Sequence, residues 1–361
     1  MDPSSALRPE ELAALDRAVG LAARGDGVVL PNPVVGCVLL DPAGLVVGEG
    51  FHERAGGPHA EVMALRAAGS RALGATAVVT LEPCNHTGRT GPCSLALIEA
   101  GVARVVVAVV DPWPAAAGGM STLRAAGVEV VDVSGSAAAS ASEEVNRVWL
   151  KAVRGRRPFV TLKTGQTVDG RVAAADGSSR WITSAESRAD AHLLRARVDT
   201  MMVGIGTVLA DDPQLTARDA AGLASGRQPL RVVVDSAGRT PPNARVLDDA
   251  ARTLIATAAE FPGANGRVDL TALLAELYRL GQRHVLLEGG PRLAAATLDA
   301  GLVDEVLIYL APLLLGRGLS AVSGGAVGTL GDAHPLSLRE VTRVGPDLRI
   351  RYSVGRPADW P

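Results

Sequence analysis

The chain has 361 residues, 47% of them hydrophobic and 20% charged, enough for two domains of ordinary size with real cores. A formal charge of −2 and ten aromatic residues (four Trp, three Tyr, three Phe) exclude a basic nucleic-acid binder built on stacking platforms. No apolar run approaches the roughly 18 residues of a membrane span, and Asp2, Arg8, Glu10 and Glu11 precede any apolar stretch, so no secretory signal is expected.

In chain order, "ELAALDRAVGLAARG" has apolar residues at helical spacing and stops at Gly25. "VVGCVLLD" and "LVVGEGFHE" read as strands around a "DPAG" turn. A helix over about His59 to Ala68 follows, then the strand "ATAVVTLEP", a loop and the helix "SLALIEAG". "VARVVVAVVD" and "GVEVVDV" are further β-branched strands, and the alternation predicts a layered α/β domain. "SGSAAASASEE" is low-complexity but runs into a helical "EEVNRVWLKAV". The domain boundary is expected at "VRGRRP", giving domains over 7–152 and 156–361. Beyond it come the strands "FVTLKTG", "TMMVGIG", "LRVVVDS", "RTLIATA", "HVLLEGG" and "EVLIYLAPLLLG". The helices "AESRADAHLLRAR", "LTALLAELYRLG" and "PRLAAATLDAG" alternate with them, making a second α/β domain rather than a repeat of the first.

Between His52 and Cys93 lie three of the six histidines and two of the three cysteines. Three cysteines are too few for a disulfide framework, so free thiols and a cytoplasmic setting are expected. Pro58 leads His59 and Glu61 into the first turn of a helix; Cys84 follows a strand, and Cys93 opens a helix after Pro92. A helix N-terminus lowers a thiol pKa, and the thiolate is the form that binds zinc. One His and two Cys leave the fourth tetrahedral position open for a water whose pKa zinc can bring to about 7, the arrangement of a catalytic site. Glu61 is then the proton shuttle and not a ligand. Taken singly, His59 reads as a helix cap and the cysteines as buried thiols; the combination favours the metal. Cys37, in an apolar strand, reads as core.

His59-Ala60-Glu61 with Pro83-Cys84 and Pro92-Cys93 resembles the zinc-dependent nucleobase deaminases. The eight residues between the cysteines, "NHTGRTGP", with "PNPVVGCVLL" and "GEGFHERAGGPHAEVMAL", are similar to the deaminase domain of the bifunctional riboflavin-biosynthesis deaminase/reductase family. That resemblance implies a cytidine-deaminase-like three-layer domain acting on a diaminopyrimidinone that carries ribose 5-phosphate. It places Asn32, His52, His86 and Arg89 on substrate positions, although Asn32 reads equally as a turn residue and Arg89 as a solvated cation. One departure is "DPWP", Asp111 to Pro114, where the family has Asn in place of Trp113. It leaves one substrate contact open.

In the second half, "GIGTVL" has Leu209 where a third glycine would complete a dinucleotide fingerprint. "HVLLEGGPRLAAATL" is a strand ending in Glu288-Gly289-Gly290 before a helix opening at Pro291, a phosphate cradle or a tight connection. "LKTGQTVDGR", "SSRWITS", "VGIGTVLADDPQLTAR", "VVVDS" and "EGGPRLAAATLDAGLVDEVLIYLAPLLLG" stand in the order of the same family's dihydrofolate-reductase-like reductase domain. The resemblance puts Ser179, Arg195, Leu215, Arg218 and Glu288 on substrate positions. Gly165, Trp181, Thr207, Asp211, Ser236 and Gly290, Pro291, Arg292, Leu293, Ala294, Ala295 and Ala296 fall on cofactor positions, with Lys163 and Asp169 as further pocket residues. It implies zinc and NADPH as cofactors, a phosphorylated pyrimidine as partner, no nucleic acid or membrane, and a homo-oligomer. The expected activity is hydrolytic deamination followed by reduction of the ribosyl group to ribityl. The alternative is a reductase alone, with an inactive, zinc-stabilised deaminase-like domain.

Overall fold

β-Branched runs such as "RVVV" and "LRVVV" have no helical face to present, and they form interior strands of two sheets with helices laid over both surfaces. A computed structural model describes residues 7–87, 91–219 and 221–355. The chain divides into two compact units, with the break between Gly155 and Arg156.

The first unit begins with helix α1 (Pro9–Ala23) and strands β1 (Gly36–Leu40) and β2 (Val46–Phe51), followed by α2 (Ala60–Ala68) and β3 (Thr76–Val79). Then come α3 (Cys93–Glu99), β4 (Arg104–Val107), α4 (Gly119–Ala125), β5 (Glu129–Asp132), α5 (Ser140–Val145) and α6 (Arg147–Gly155). The sheet order is β2-β1-β3-β4-β5, with β1 antiparallel to β2 and β3, and β3, β4 and β5 parallel. Side chains alternate across it, as a two-residue period requires. Val38, Leu40, Val78 and Val106 pack with α1 and with Trp149, Leu150 and Val153 of α6. Cys37, Leu39, Ala77, Val79 and Val107 pack with α2, α3 and α4 on the opposite face. Cys37 is fully buried there.

Two glycines decide how closely α2 approaches. A Cβ on Gly48 would lie 2.3 Å from the Ala64 carbonyl oxygen, and one on Gly50 would lie 2.3 Å from that of Ala60. Only a strand bare at both positions lets the helix backbone settle onto it. That contact fixes where the first turn of α2, with His59 and Glu61, faces.

The second unit contains β6 (Phe159–Thr167), β7 (Arg171–Ala173), α7 (Ala185–Ala196), β8 (Thr200–Gly204), α8 (Ile205–Asp211), β9 (Leu230–Val234) and β10 (Thr253–Ala256). It continues with α9 (Leu270–Arg279), β11 (His284–Glu288), α10 (Pro291–Asp299) and β12 (Glu305–Ala311). It ends in β13 (Leu319–Ser320), β14 (Leu336–Val344) and β15 (Asp347–Val354). The sheet order is β10-β9-β8-β11-β6-β12-β15-β14; the first six are parallel, and β15 is antiparallel to its neighbours β12 and β14. β7 and β13 form a separate antiparallel ribbon. Helices α9 and α10 cover one face through Leu273, Leu274, Leu277, Ala294 and Leu298. Helices α7 and α8 cover the other, where Leu194, Ile205 and Val208 meet Met201, Val203 and Leu286.

Several elements depart from the sequence expectation. "GIGTVLAD" is mostly helix, because Gly204 serves as N-cap and Val208 buries against the sheet. The low-complexity run is a short 3₁₀ turn over Ala137–Ala139 leading into α5. β12 stops at Ala311, before Pro312, so "PLLLG" lies outside the sheet. The C-terminal hairpin of β14 and β15 was not expected; its outer strand has charged residues interrupting the apolar run that marks a buried strand.

Candidate active sites

In the first unit, His59 occupies the N-cap position of α2, yet its ring makes no capping hydrogen bond. Its Nδ1 instead lies 3.5 Å from Cys84 Sγ and 3.3 Å from Cys93 Sγ. Cys84 follows the end of the β3 segment, and Cys93 is the first residue of α3, whose N–H donates to Cys84 Sγ at 3.4 Å. The three ligand atoms all lie within 4.8 Å of one another. A tetrahedral zinc with bonds of about 2.0–2.3 Å requires nitrogen–sulfur separations near 3.5 Å, so this donor set fits the ion.

The group borders a cavity of about 190 Å³ that also takes in Asn32, His52, Glu61 and His86. Glu82, Asp111, Trp113 and Trp149 complete much of its wall; of these only Trp113 had been singled out in the sequence, as the departure at a substrate-contact position. Glu61 Oε2, His52 Nε2 and His86 Nδ1 are buried without a hydrogen-bond partner among the described residues. Such atoms lose water without gaining a donor or acceptor, a cost accepted where a ligand supplies the partner. Arg89 lies outside the described residues.

The electrostatics follow from burial and close packing. The hydrogen bond from Cys93 pulls Cys84 down to about 4, and His59 adds to the pull. Cys93, the donor, is held up by that same bond and by burial. Burial lifts Glu61 to about 7, with the Cys84 charge adding and His59 opposing. Burial also lowers His52, assisted by the neighbouring His59 ring 5.2 Å away. Asp111 rises to about 6, chiefly through burial.

The second unit holds a larger cavity, about 550 Å³, at the carboxyl ends of β8 and β11, where open parallel sheets place their ligands. At its floor Glu288 receives both edges of the Arg195 guanidinium, Nε to Oε1 at 3.0 Å and Nη2 to Oε2 at 2.7 Å. Lys163 Nζ stands 3.9 Å from Glu288 Oε2 and 5.3 Å from the centre of the Tyr309 ring. Burial alone would raise Glu288; the Arg195 and Lys163 charges outweigh it and hold the carboxyl at about 2. Burial lowers Lys163, with Arg195 acting in the same direction and Glu288 against it.

Gly165, Ser179, Trp181, Thr207, Asp211, Leu215, Gly290, Pro291 and Ala294 also line this cavity. Gly289 and Gly290 have φ of 77° and 82°, conformations that favour glycine, and Gly290 caps α10 ahead of Pro291. The turn leaves the first N–H groups of that helix without intrahelical partners. Trp181 is 66% exposed, with the Arg188 guanidinium 4.3 Å above its ring.

Other expected residues lie outside the lining. Arg218 donates to the Gly222 carbonyl in its own loop; His192 is lowered by burial and by the Arg195 charge, with a smaller part from Arg218. Ser236 accepts the Val268 N–H, and Asp169 accepts from Thr167 and from the Leu315 and Gly316 amides, so both hold loops. Arg292, Leu293, Ala295 and Ala296 are in α10 but do not border the cavity. Arg188, His192 and Tyr309 also line the cavity, although none was among the expected site residues. His192 Nδ1 is buried without a partner among the described residues, and Tyr309 donates to Asp190 at 2.6 Å. Helix α7 carries "RADAHLLR" at helical spacing, but only packing reveals which face meets the pocket.

Comparison with known proteins divides the chain in the same way. Residues 10–109 match the cytidine and deoxycytidylate deaminase zinc-binding region, and residues 158–350 match the RibD C-terminal domain. The chain is 45% identical to the riboflavin biosynthesis protein RibD of Escherichia coli (strain K12), over 92% of this chain and 96% of that protein. It is 47% identical to RibD of Mycobacterium tuberculosis (strain H37Rv), over 94% of this chain and 98% of that one. Among solved structures, Acinetobacter baumannii RibD (form 1) matches at a TM-score of 0.85 and 37% identity, covering 96% of this chain and 99% of that chain. A diaminohydroxyphosphoribosylaminopyrimidine deaminase/5-amino-6-(5-phosphoribosylamino)uracil reductase from Thermotoga maritima matches at 0.83 and 33% identity, with the same coverage.

Proposed function

The chain belongs to the RibD family, and we propose that its two cavities serve successive steps on one phosphorylated pyrimidine. It is a bifunctional enzyme of riboflavin biosynthesis, a deaminating hydrolase in the first unit and an oxidoreductase in the second. The substrate we assign to the first site is a diaminopyrimidinone carrying ribose 5-phosphate, and the cofactors are zinc and NADPH. Family membership supports all three; the His59–Cys84–Cys93 group supports the zinc.

A zinc held by those residues supplies a Lewis acid that lowers the pKa of a water. Water adds to the amino-bearing ring carbon, and the C–N bond to that amino group breaks. Glu61, with one oxygen unpartnered in the cavity among the described residues, takes one proton from the water to the ring nitrogen, then carries the proton of the new hydroxyl to the amino group, which leaves as ammonia. His52, His86 and Asn32 hold the ring in register through hydrogen bonds. The unpartnered Glu61 oxygen, in one cavity with the His59–Cys84–Cys93 group, is the observation that carries the deaminase reading. It also weighs against an inactive first unit.

NADPH, when bound, supplies hydride to C1 of the ribosyl group. As C1 gains the hydride, its bond to the ring oxygen breaks and that oxygen must be protonated. Lys163 is the half-buried cation beside Glu288, and its lowered pKa makes it a readier proton donor than an exposed lysine. Glu288 keeps Lys163 charged before the step, and the Arg195 pair fixes Glu288 in place. The α10 N-terminus behind Gly290 offers N–H groups to a cofactor phosphate. A cytoplasmic setting accords with three unpaired cysteines, and no helix among the described residues is long and apolar enough to cross a membrane.

The test is to supply the diaminopyrimidinone with and without NADPH and identify the products. Deaminated product should form without NADPH and ribityl product with it. Absence of deaminated product would overturn the substrate assignment. Elemental analysis should give about one zinc per chain, lost from the Cys84→Ser, Cys93→Ser double variant.

A further inference from the structure

Neither reaction uses the buried carboxylate of Glu82, which lies two residues before Cys84 and is only 5% exposed. Its Oε1 accepts the N–H groups of Gly118 and Met120, each at 3.1 Å, and its Oε2 accepts that of Asp111 at 3.2 Å. These donors bracket the connection from β4 to α4, and the residues between them include Trp113 and Ala116 of the cavity wall. The connection approaches the metal-binding loop at further points. The Asn85 N–H donates to the Ala116 carbonyl at 2.9 Å, and Ala116 clusters with Cys84 and Cys93. A Cβ on Gly119 would fall 1.8 Å from the Pro83 carbonyl oxygen, so the two backbones are in direct contact there.

A connection of this length without a strand or helix of its own has no internal ladder to fix its course. A carboxylate can fix it, because it is an acceptor at every lone pair and can gather several N–H groups at once. Within this stretch, the Trp113 N–H donates to Asp111 Oδ1 at 2.7 Å, so anchoring Asp111 also anchors the backbone of Trp113.

We propose that Glu82 is a positioning residue for deamination: it hangs the 111–120 connection on the metal-binding loop, so that Trp113 forms a substrate-facing wall at a fixed distance from His59, Cys84 and Cys93. Trp113 is then the residue that sets how the pyrimidine is gripped in this chain. The inference rests on reading the first cavity as the deaminase site.

Glu82→Gln tests it. A glutamine that keeps its oxygen toward Gly118 and Met120 turns its NH₂ toward the Asp111 N–H, donor against donor. The Asp111–Trp113 end should loosen while the other end holds. KM for the diaminopyrimidinone should rise about tenfold with kcat within about threefold, since ground-state grip and not proton transfer is lost. Zinc content and reduction of deaminated intermediate should be unchanged. Trp113→Ala should raise KM in the wild-type background and add little in Glu82→Gln, because both changes act through one connection. Amide exchange over Asp111–Met120 should quicken in the variant, a readout that needs no substrate. Wild-type turnover, measured first, separates a wrong substrate from a wrong role for Glu82. Unchanged exchange, fully multiplicative KM effects, or loss of zinc in Glu82→Gln would each overturn the proposal, the last by making Glu82 part of the metal scaffold.

Discussion

Glu61 and Glu82 are both buried acids close in sequence to the proposed zinc ligands, and their partners separate them. Both oxygens of Glu82 accept from backbone donors, whereas one oxygen of Glu61 has no partner among the described residues. Glu61→Gln keeps the shape but cannot accept a proton at neutral pH. Deamination should fall by about 10²–10⁴-fold, the usual worth of general acid–base assistance, while zinc content and reduction persist. A variant deaminating within roughly tenfold of wild type would remove Glu61 from the proton path. Glu288 makes a different prediction. Its folded pKa, about 2, lies below the ordinary carboxylate value of 4.5, so the ionised form stabilises the fold. That contribution is present above about pH 4.5 and is lost as pH falls through about 2; the full shift corresponds to about 3 kcal/mol. In Glu288→Gln the slope of stability against pH between those limits should be shallower than in wild type, as denaturant titrations at stepped pH will read. Equal slopes would mean the pair is not coupled to folding.

At the scale of elements, the α10 N-terminus is the most exacting piece of the second unit. A Cβ at Gly290 would touch Leu293 Cβ and Thr207 Oγ1 only at ordinary distances, 3.6 and 3.7 Å. Its φ of 82° is the obstacle, since a β-branched residue there is strained. Gly290→Val should therefore turn the N–H groups off target, weakening NADPH about tenfold or more in a binding titration, with deamination intact. The glycine pair, the strand before it and Pro291 after it are local signals, and "LLEGGPRL" displayed them in the sequence. So did His59, Cys84 and Cys93, whose chemistry is spoken by residue type and by the prolines beside them. Other parts depend on contacts distant along the chain. Glu82 reads as an ordinary loop acid until Asp111, Gly118 and Met120 fold back over it. His192 and Tyr309 face the cavity only because α7 lies against β12 through Ala191 and Leu307. The β14–β15 hairpin escaped because half of its side chains meet water, leaving no long apolar run.

For the whole molecule, two chemistries share one polypeptide but not one set of reactive groups. Removing zinc with a chelator should abolish deamination and leave reduction of deaminated intermediate near its starting rate; parallel loss would tie the second site to the metal. The cysteines sharpen that asymmetry. All three lie in the first unit, and Cys37 is sealed between sheet and helix with its thiol pushed well up by burial. Cys84, held down to about 4 and sitting at the cavity wall, is the one poised as a thiolate. An alkylating reagent given to metal-stripped enzyme should thus label Cys84 first and spare Cys37, and peptide mapping of the adduct will show it. Since the reductase unit has no sulfhydryl to attack, the same reagent becomes a chemical scalpel: it can silence the first step of a two-step catalyst permanently while the second continues to run.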